Sequence, residues 1–479
     1  MRIIERLKKH DRNNIEIKYT FQVPDKDKVE YAVEMYLFAP ESLGINSKTY
    51  SVGHFYYDER NHIRLKTPSY LLKDITNGEA SPLAKLEQSM RQLADNPDSE
   101  KAFNEYLRHI QIYCYVLKSA LRNRFLAAVD NPEKTLIENI AINTEAALLK
   151  FREAGSIIDT GKINEKALEM FRLADEYNSL LAGKYLFRLL RFSEEKCPEI
   201  MDCLASVLEK ETEYRESQGF PNVKDSHANE ELLYRMSVLK KLMGQVLFIK
   251  TKTRIEGRLL EQVIPGIAAG IAMSIATLLL FYTRSSIREF TTTLFFTIVG
   301  IYVFKDRIKD WSVKIFKNFA GHFLYDYKTI LMTDNGKKIG WRREDFSFIK
   351  PEDLPDDVAQ LRRRETTGGL ESRRSKEEIL YARRRIMLDS RNCRKLLEDF
   401  QVDGIHDIVR YNLRHFMLNM DNPDKLLYAL DRNKARPVKG RRIYHINMIL
   451  RYSSNDCNEL RRFRIIATRD KIERLEEIT

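Results

Sequence analysis

The chain has 479 residues, 43% hydrophobic and 31% charged, with a formal net charge of +12 and a mean hydropathy of -0.44. That length allows two to four domains, and nineteen glycines and thirteen prolines are too few for a collagen-like or largely disordered chain. Five cysteines, an odd number without a C-x-x-C pair, argue against a disulfide framework and against a structural zinc site.

The basic excess is uneven: residues 1–304 hold 42 Lys/Arg against 41 Asp/Glu, whereas residues 305–479 hold 39 against 28. The opening MRIIERLKKHDRNN lacks the apolar centre of a secretory signal peptide, so none is expected. Residues 13–68 then read as β-structure. In IEIKYTFQV, Ile15, Ile17, Tyr19, Phe21 and Val23 recur at period two, and the aromatic-rich runs YAVEMYLFAP and YSVGHFYYDE follow. The period lengthens over 101–129, 132–159, 163–195, 198–217 and 227–262, where apolar residues recur every three to four positions. Pro132 and Pro198 fall near helix starts, where the missing N–H costs nothing. These segments predict an antiparallel bundle of four or five helices, its last helix leaving as a stalk that kinks at Pro265.

Val263–Tyr282, VIPGIAAGIAMSIATLLLFY, carries no charge, and Phe290–Phe304 is a second apolar run. Twenty helical residues rise about 30 Å, the thickness of a hydrocarbon core. A two-helix transmembrane hairpin over 263–304 is therefore expected. Lys250, Lys252, Arg254 and Arg258 precede it, Lys305, Arg307, Lys309, Lys314 and Lys317 follow it, and only Arg284 and Arg288 lie in its turn. That asymmetry predicts both termini in the cytoplasm, and a bacterial inner membrane is the expected location. Gly266, Gly270 and Ser274, spaced by four, form a small-residue ridge suited to close packing, either on Gly300 of the second run or on a second copy of the chain. Arg258, Lys305, Arg307, Lys309 and Trp311 are the expected interfacial residues.

Beyond the hairpin, residues 305–327 read as a basic amphipathic helix, and YKTILMTDNGKKIGWRREDFSFI as a β-hairpin turning at Asn335-Gly336. Residues 351–375 read as a loop, 376–400 and 404–420 as helices, and RRIYHINMILRYSS and ELRRFRIIATRDKIERLEEI begin as strands. The expected fold class is thus an α+β membrane protein. Its parts are a small antiparallel β region (1–68), a cytoplasmic helical bundle and stalk (69–262), the hairpin (263–304) and a basic C-terminal α+β region (305–479).

No G-x-x-x-x-G-K-[ST], H-E-x-x-H, G-x-S-x-G or G-x-G-x-x-G occurs. HFYYDERNH brings His54, Asp58, Glu59 and His62 close in sequence, an acid/base or metal combination that strand alternation would scatter onto two faces. No catalytic residue, cofactor or metal is therefore predicted. The basic C-terminal region is expected to meet anionic headgroups rather than nucleic acid, because Glu371, Glu377, Glu378 and Asp389 interrupt its arginines. The expected function is a membrane-anchored, self-associating cytoplasmic scaffold, sensor or regulatory protein. The alternatives are an effector that oligomerises to perturb the membrane, and an enzyme whose site no motif reveals.

Overall fold

A computed structural model describes residues 4–22, 28–158, 165–223, 229–256, 258–286, scattered positions between 292 and 311, then 325–333, 336–363, 376–400, 402, 404–431, 434–454 and 457–478. It mixes helix and sheet. The chain divides into two units, one made of 1–63, 249–396 and 404–479, the other of 64–248 and 397–403.

The described residues hold fourteen strands, all in the first unit except for the last two residues of β4: β1 Ile4–Lys9, β2 Asn14–Gln22, β3 Lys28–Pro40, β4 Glu59–Leu65, β5 Lys250–Ile255, β6 Tyr327–Met332, β7 Lys338–Ile349, β8 Glu377–Asp389, β9 Gly404–Asn412, β10 Asp424–Asp431, β11 Lys434–Arg441, β12 Tyr444–Ser454, β13 Cys457–Ala467 and β14 Ile472–Ile478. One sheet runs β1-β2-β9-β4, a second runs β14-β13-β12-β3-β8-β7-β6-β5, and β10-β11 form a separate two-stranded ribbon. The ladders β2–β9, β3–β8 and β3–β12, which join N- and C-terminal strands, are antiparallel. Asn14 faces Asn412, Gly404 faces Gln22, Lys28 faces Asp389 and Asn447 faces Phe38. The two β regions at the ends of the sequence are therefore one domain. The sheets pack face to face through aromatic side chains. Phe21 and Tyr31 rings lie 4.8 Å apart, Tyr19 and Tyr452 6.0 Å apart, and alternation along β2 and β3 supplies these inward positions.

The second unit is a helical bundle inserted between β4 and β5. Its helices are α2 Pro82–Asp95, α3 Glu100–Asp130, α4 Lys134–Ala154, α5 Glu165–Lys196, α6 Met201–Ser217 and α7 Glu230–Gly244, while the short α1 Val52–Asp58 belongs to the first unit. Ser81 and Ser99 accept the backbone N–H of Ala84 and Ala102 and so start α2 and α3. Tyr106, Tyr113, Leu117, Phe151 and Leu186 are fully buried at its centre. Two buried tyrosines donate to helix carbonyls, Tyr106 to Ala167 and Tyr113 to Ala147, both at 2.9 Å. Two buried carboxylates there are paired. Arg152 meets Asp175 at 3.0 Å and Glu211 at 2.6 Å, and Tyr214 donates to Asp175 at 2.6 Å.

Several expectations are corrected. Among the described residues no helix is long and apolar enough to cross a membrane. The transmembrane hairpin over 263–304, the fold class built on it and the multi-pass inner-membrane placement with both termini in the cytoplasm are therefore not supported. The run Val263–Tyr282 lies on one helix, α8 Arg258–Ser286. It lacks charge rather than being rich in large apolar side chains, since nine of its twenty residues are Pro, Gly, Ala, Ser or Thr, which bury little apolar area each. Most of the second run and of the basic helix after it lie outside the described residues.

The stalk is interrupted, because β5 separates α7 from α8. The stretch 376–400 is half strand, β8, and half helix, Ser390–Phe400. Residues 404–412 are strand, with a helix only at Arg414–Leu418. β6 and β7 pair as an antiparallel hairpin, with Gly336 at φ 75°, a left-handed conformation that glycine adopts without strain; Asn335 lies outside the described residues.

Candidate functional site

β7 and β8 are neighbours, and their register places Glu344 opposite Arg384. Arg342, two residues before Glu344, shares its face. β9 contributes Asp407, and β4 contributes Glu59 and Asn61 from the opposing sheet. The result is a closed ion cluster between the sheets. Arg384 donates to Glu344 at 2.7 Å and to Asp407 at 3.1 Å, and is paired with Glu59. Arg342 lies 3.1 Å from Glu344 and 3.5 Å from Asp407, and donates to Asn61 at 2.8 Å. All five charged side chains are buried.

Two guanidinium groups face three carboxylates, an excess of one negative charge. Burial pushes Glu59 up, with Arg384 opposing it. Glu344 is held low despite its burial, by Arg342 and Arg384. Any retained proton therefore belongs on Glu59. The cavity against Glu59, Glu344, Arg384 and Tyr411 measures about 20 Å³, room for a single water. This cluster ties β7 and β8 of one sheet to β4 and β9 of the other.

A second constellation opens toward solvent beside it. Ser51 caps α1 and exchanges a capping box with His54. The helix turns Asp58 inward, where it is 5% exposed. Tyr50 donates to Asp58 Oδ2 at 2.9 Å, and His415 Nδ1 lies 2.7 Å from the same oxygen. The His54 and His415 rings are 5.5 Å apart. The side chain of His415 keeps 37% of its surface in solvent. A carboxylate that orients one imidazole nitrogen leaves the other ring nitrogen to exchange protons. Two histidines and a carboxylate thus gather here, where alternation had been expected to scatter the HFYYDERNH residues; a helix replaces the strand. His62 does not join them, and burial and Arg410 push it down. No group of three or more His, Cys, Asp or Glu placed to hold a metal occurs among the described residues.

The third feature is the β10–β11 ribbon. Leu426 faces Lys439, Leu427 faces Val438 and Tyr428 faces Pro437. All but one of its sixteen residues are exposed, with Tyr428 at 70% and Leu430 at 80%. Its base is clamped. Arg442 pairs with Asp421 at 2.5 Å, Arg442 N–H donates to the Pro423 carbonyl at 2.7 Å, and Arg441 reaches Glu473 at 3.3 Å.

The residues singled out in the sequence lie elsewhere. Gly266, Gly270 and Gly300 stand open, and a Cβ added at any of them would meet no described atom within 4 Å. Ser274 donates to the Gly270 carbonyl at 2.9 Å within its own helix. Among the described side chains of α8 the buried ones are Ala268, Ala272 and Ala276, also spaced by four. Arg258 opens α8. Lys305 Nζ sits 4.0 Å from the Tyr302 ring, Arg307 and Trp311 are exposed, and Lys309 lies outside the described residues. No family model matches the chain, and neither curated proteins nor solved structures provide a match.

Proposed function

We propose that the chain is a binding protein, a scaffold or regulatory component, that docks an acidic protein partner on the β10–β11 ribbon. The exposure of that ribbon is the observation that supports the reading. An isolated two-stranded hairpin is marginal in water, and this one leaves four leucine and tyrosine side chains and both strand edges unshielded. Residues 424–442 carry seven Lys/Arg against two Asp. An extended polypeptide with acidic and apolar side chains satisfies all three features at once: backbone groups at the edge, apolar contact and charge.

The test places a photo-crosslinking residue at Tyr428 of the full chain in its native host. An adduct with an acidic protein is expected. It should disappear in R436E/K439E and in L426S/L430S, while circular dichroism stays unchanged. A self-adduct would assign the ribbon to a homo-oligomer instead, and lipid adducts alone would assign it to headgroups; either overturns the proposal.

The Asp58–His415 pair supports a second reading, proton transfer at a site that no motif reveals. Screening ester and phosphoester substrates against the wild type and H415Q tests it. Turnover that survives unchanged in H415Q removes this reading.

A further inference from the structure

The helical unit gathers cations that have no carboxylate beside them. Tyr115, Lys118 and Arg122 follow at i, i+3 and i+7 along α3 and so share a face. Lys184 and Arg188 share a face of α5, α7 supplies Lys240, and Arg64 stands where the chain enters the unit. Tyr115 organises the centre. Arg64 donates to its hydroxyl at 3.3 Å, and Lys118 Nζ lies 4.4 Å from its ring centroid. Arg188 covers the Phe125 ring at 5.6 Å, and Phe125 in turn contacts Tyr185 across the α3–α5 seam at 6.1 Å.

Two other arginines of this unit are neutralised, Arg152 by Asp175 and Glu211 and Arg235 by Glu176, while the buried Arg215 donates to Asn222, Thr212 and Ser179. Among the described residues, no ion pair reaches Arg64, Lys118, Arg122, Lys184, Arg188 or Lys240. The Arg64 Nε–H is buried without an acceptor. Burial, then Lys240, Arg64, Lys184 and Arg122, push Lys118 down to about 8. Like charges this close repel one another unless an anion sits among them. A solvated face would keep its lysines in water, whereas here the central ammonium is half-buried against an aromatic ring.

We propose that this face binds a phosphate-bearing ligand of two or more negative charges, held by Lys118 and Arg64 beside Tyr115 and surrounded by Arg122, Lys184 and Lys240. Charge-assisted hydrogen bonds from several donors to phosphate oxygens are the recognition chemistry such a set provides. The proposal is independent of the ribbon and concerns only the helical unit. A free polyphosphate group and a lipid phosphate headgroup share this chemistry.

Titration calorimetry and thermal melts of the full chain with sodium tripolyphosphate, with sulfate as the control, test it. Vesicles of phosphatidylcholine with and without phosphatidic acid form the second arm. Tripolyphosphate should bind and raise Tm, and K118M should weaken binding at least about tenfold, the loss of one charge-assisted bond. K118M should also melt higher than wild type without ligand, because it removes a repelled cation; a merely structural lysine would do the reverse. K184Q/K240Q, at exposed positions, should weaken binding with the fold intact, and K210Q, paired with Glu145 at 2.9 Å, should bind as wild type. Response to phosphatidic acid without tripolyphosphate binding assigns the headgroup as the source. Binding unchanged in both K118M and K184Q/K240Q, or no response to either phosphate source, overturns the proposal.

Discussion

Arg384 is 6% exposed, and its guanidinium spans Glu59, Glu344 and Asp407. In R384M the three buried carboxylates would face Arg342 alone. Breaking such a network leaves charge uncompensated, and a loss of about 3–5 kcal/mol is expected in urea denaturation. A loss below about 1 kcal/mol would show that the cluster does not hold the sheets. His109 on α3 provides a pH signature. Burial, then Arg108 and Lys85, push it down to about 4 from its ordinary 6.5. The unfolded chain therefore binds this proton first as pH falls. Its contribution is complete above pH 6.5 and is lost on the way to pH 4, about 3 kcal/mol in all. The difference in stability between wild type and H109L should vary across that window and be flat above it.

At the scale of elements, the close approach of β9 to β2 depends on Gly404. A Cβ there would lie 2.5 Å from the Phe21 carbonyl oxygen, so G404A should lower Tm, at a cost of about 1–3 kcal/mol; an unchanged melt would show that the two strands can separate freely. The elements that the sequence reveals are those whose pattern is local. The bundle helices α3 to α7 are legible because 3.6-residue periodicity needs no partner, whereas α2 Pro82–Asp95 falls outside the expected segments; β2 and β3 are legible because their inward positions are apolar. β8 and β9 are not, because their inward positions include Arg384 and Asp407, which break the alternation of apolar and polar residues. α1 reads as strand although Ser51 and His54 carry its cap signal, because the aromatic run that follows resembles a strand. The ribbon was missed because DKLLYALD and KARPVKGR lack a glycine turn between them. His415 and Asp58 stand 357 residues apart, and nothing local joins them.

At the scale of the whole molecule, each unit has its own interior. The helical unit is continuous in sequence over 64–248 apart from a short return at 397–403, and its core is closed by Tyr113, Phe151 and Leu186. Residues 64–248 expressed alone should therefore melt in one cooperative transition with a helical circular dichroism spectrum. A gradual, non-cooperative melt would show that the core needs the rest of the chain. The sandwich is the opposite case. β3 pairs with β8 and β12, and β2, beyond its local partner β1, with β9, so both reach their long-range neighbours only when residues beyond 377 have been made. At about 5–20 residues per second that wait lasts roughly 20–70 s. During it β3 has no native strand to pair with, and β2 has only β1. The helical insertion, whose contacts are short-range, can complete itself in the meantime. Synthesis of this protein thus includes a long interval in which half of its architecture is finished and the other half is an exposed pair of sticky strands, and holding those strands apart from other chains is the task that its arrangement passes to the cell.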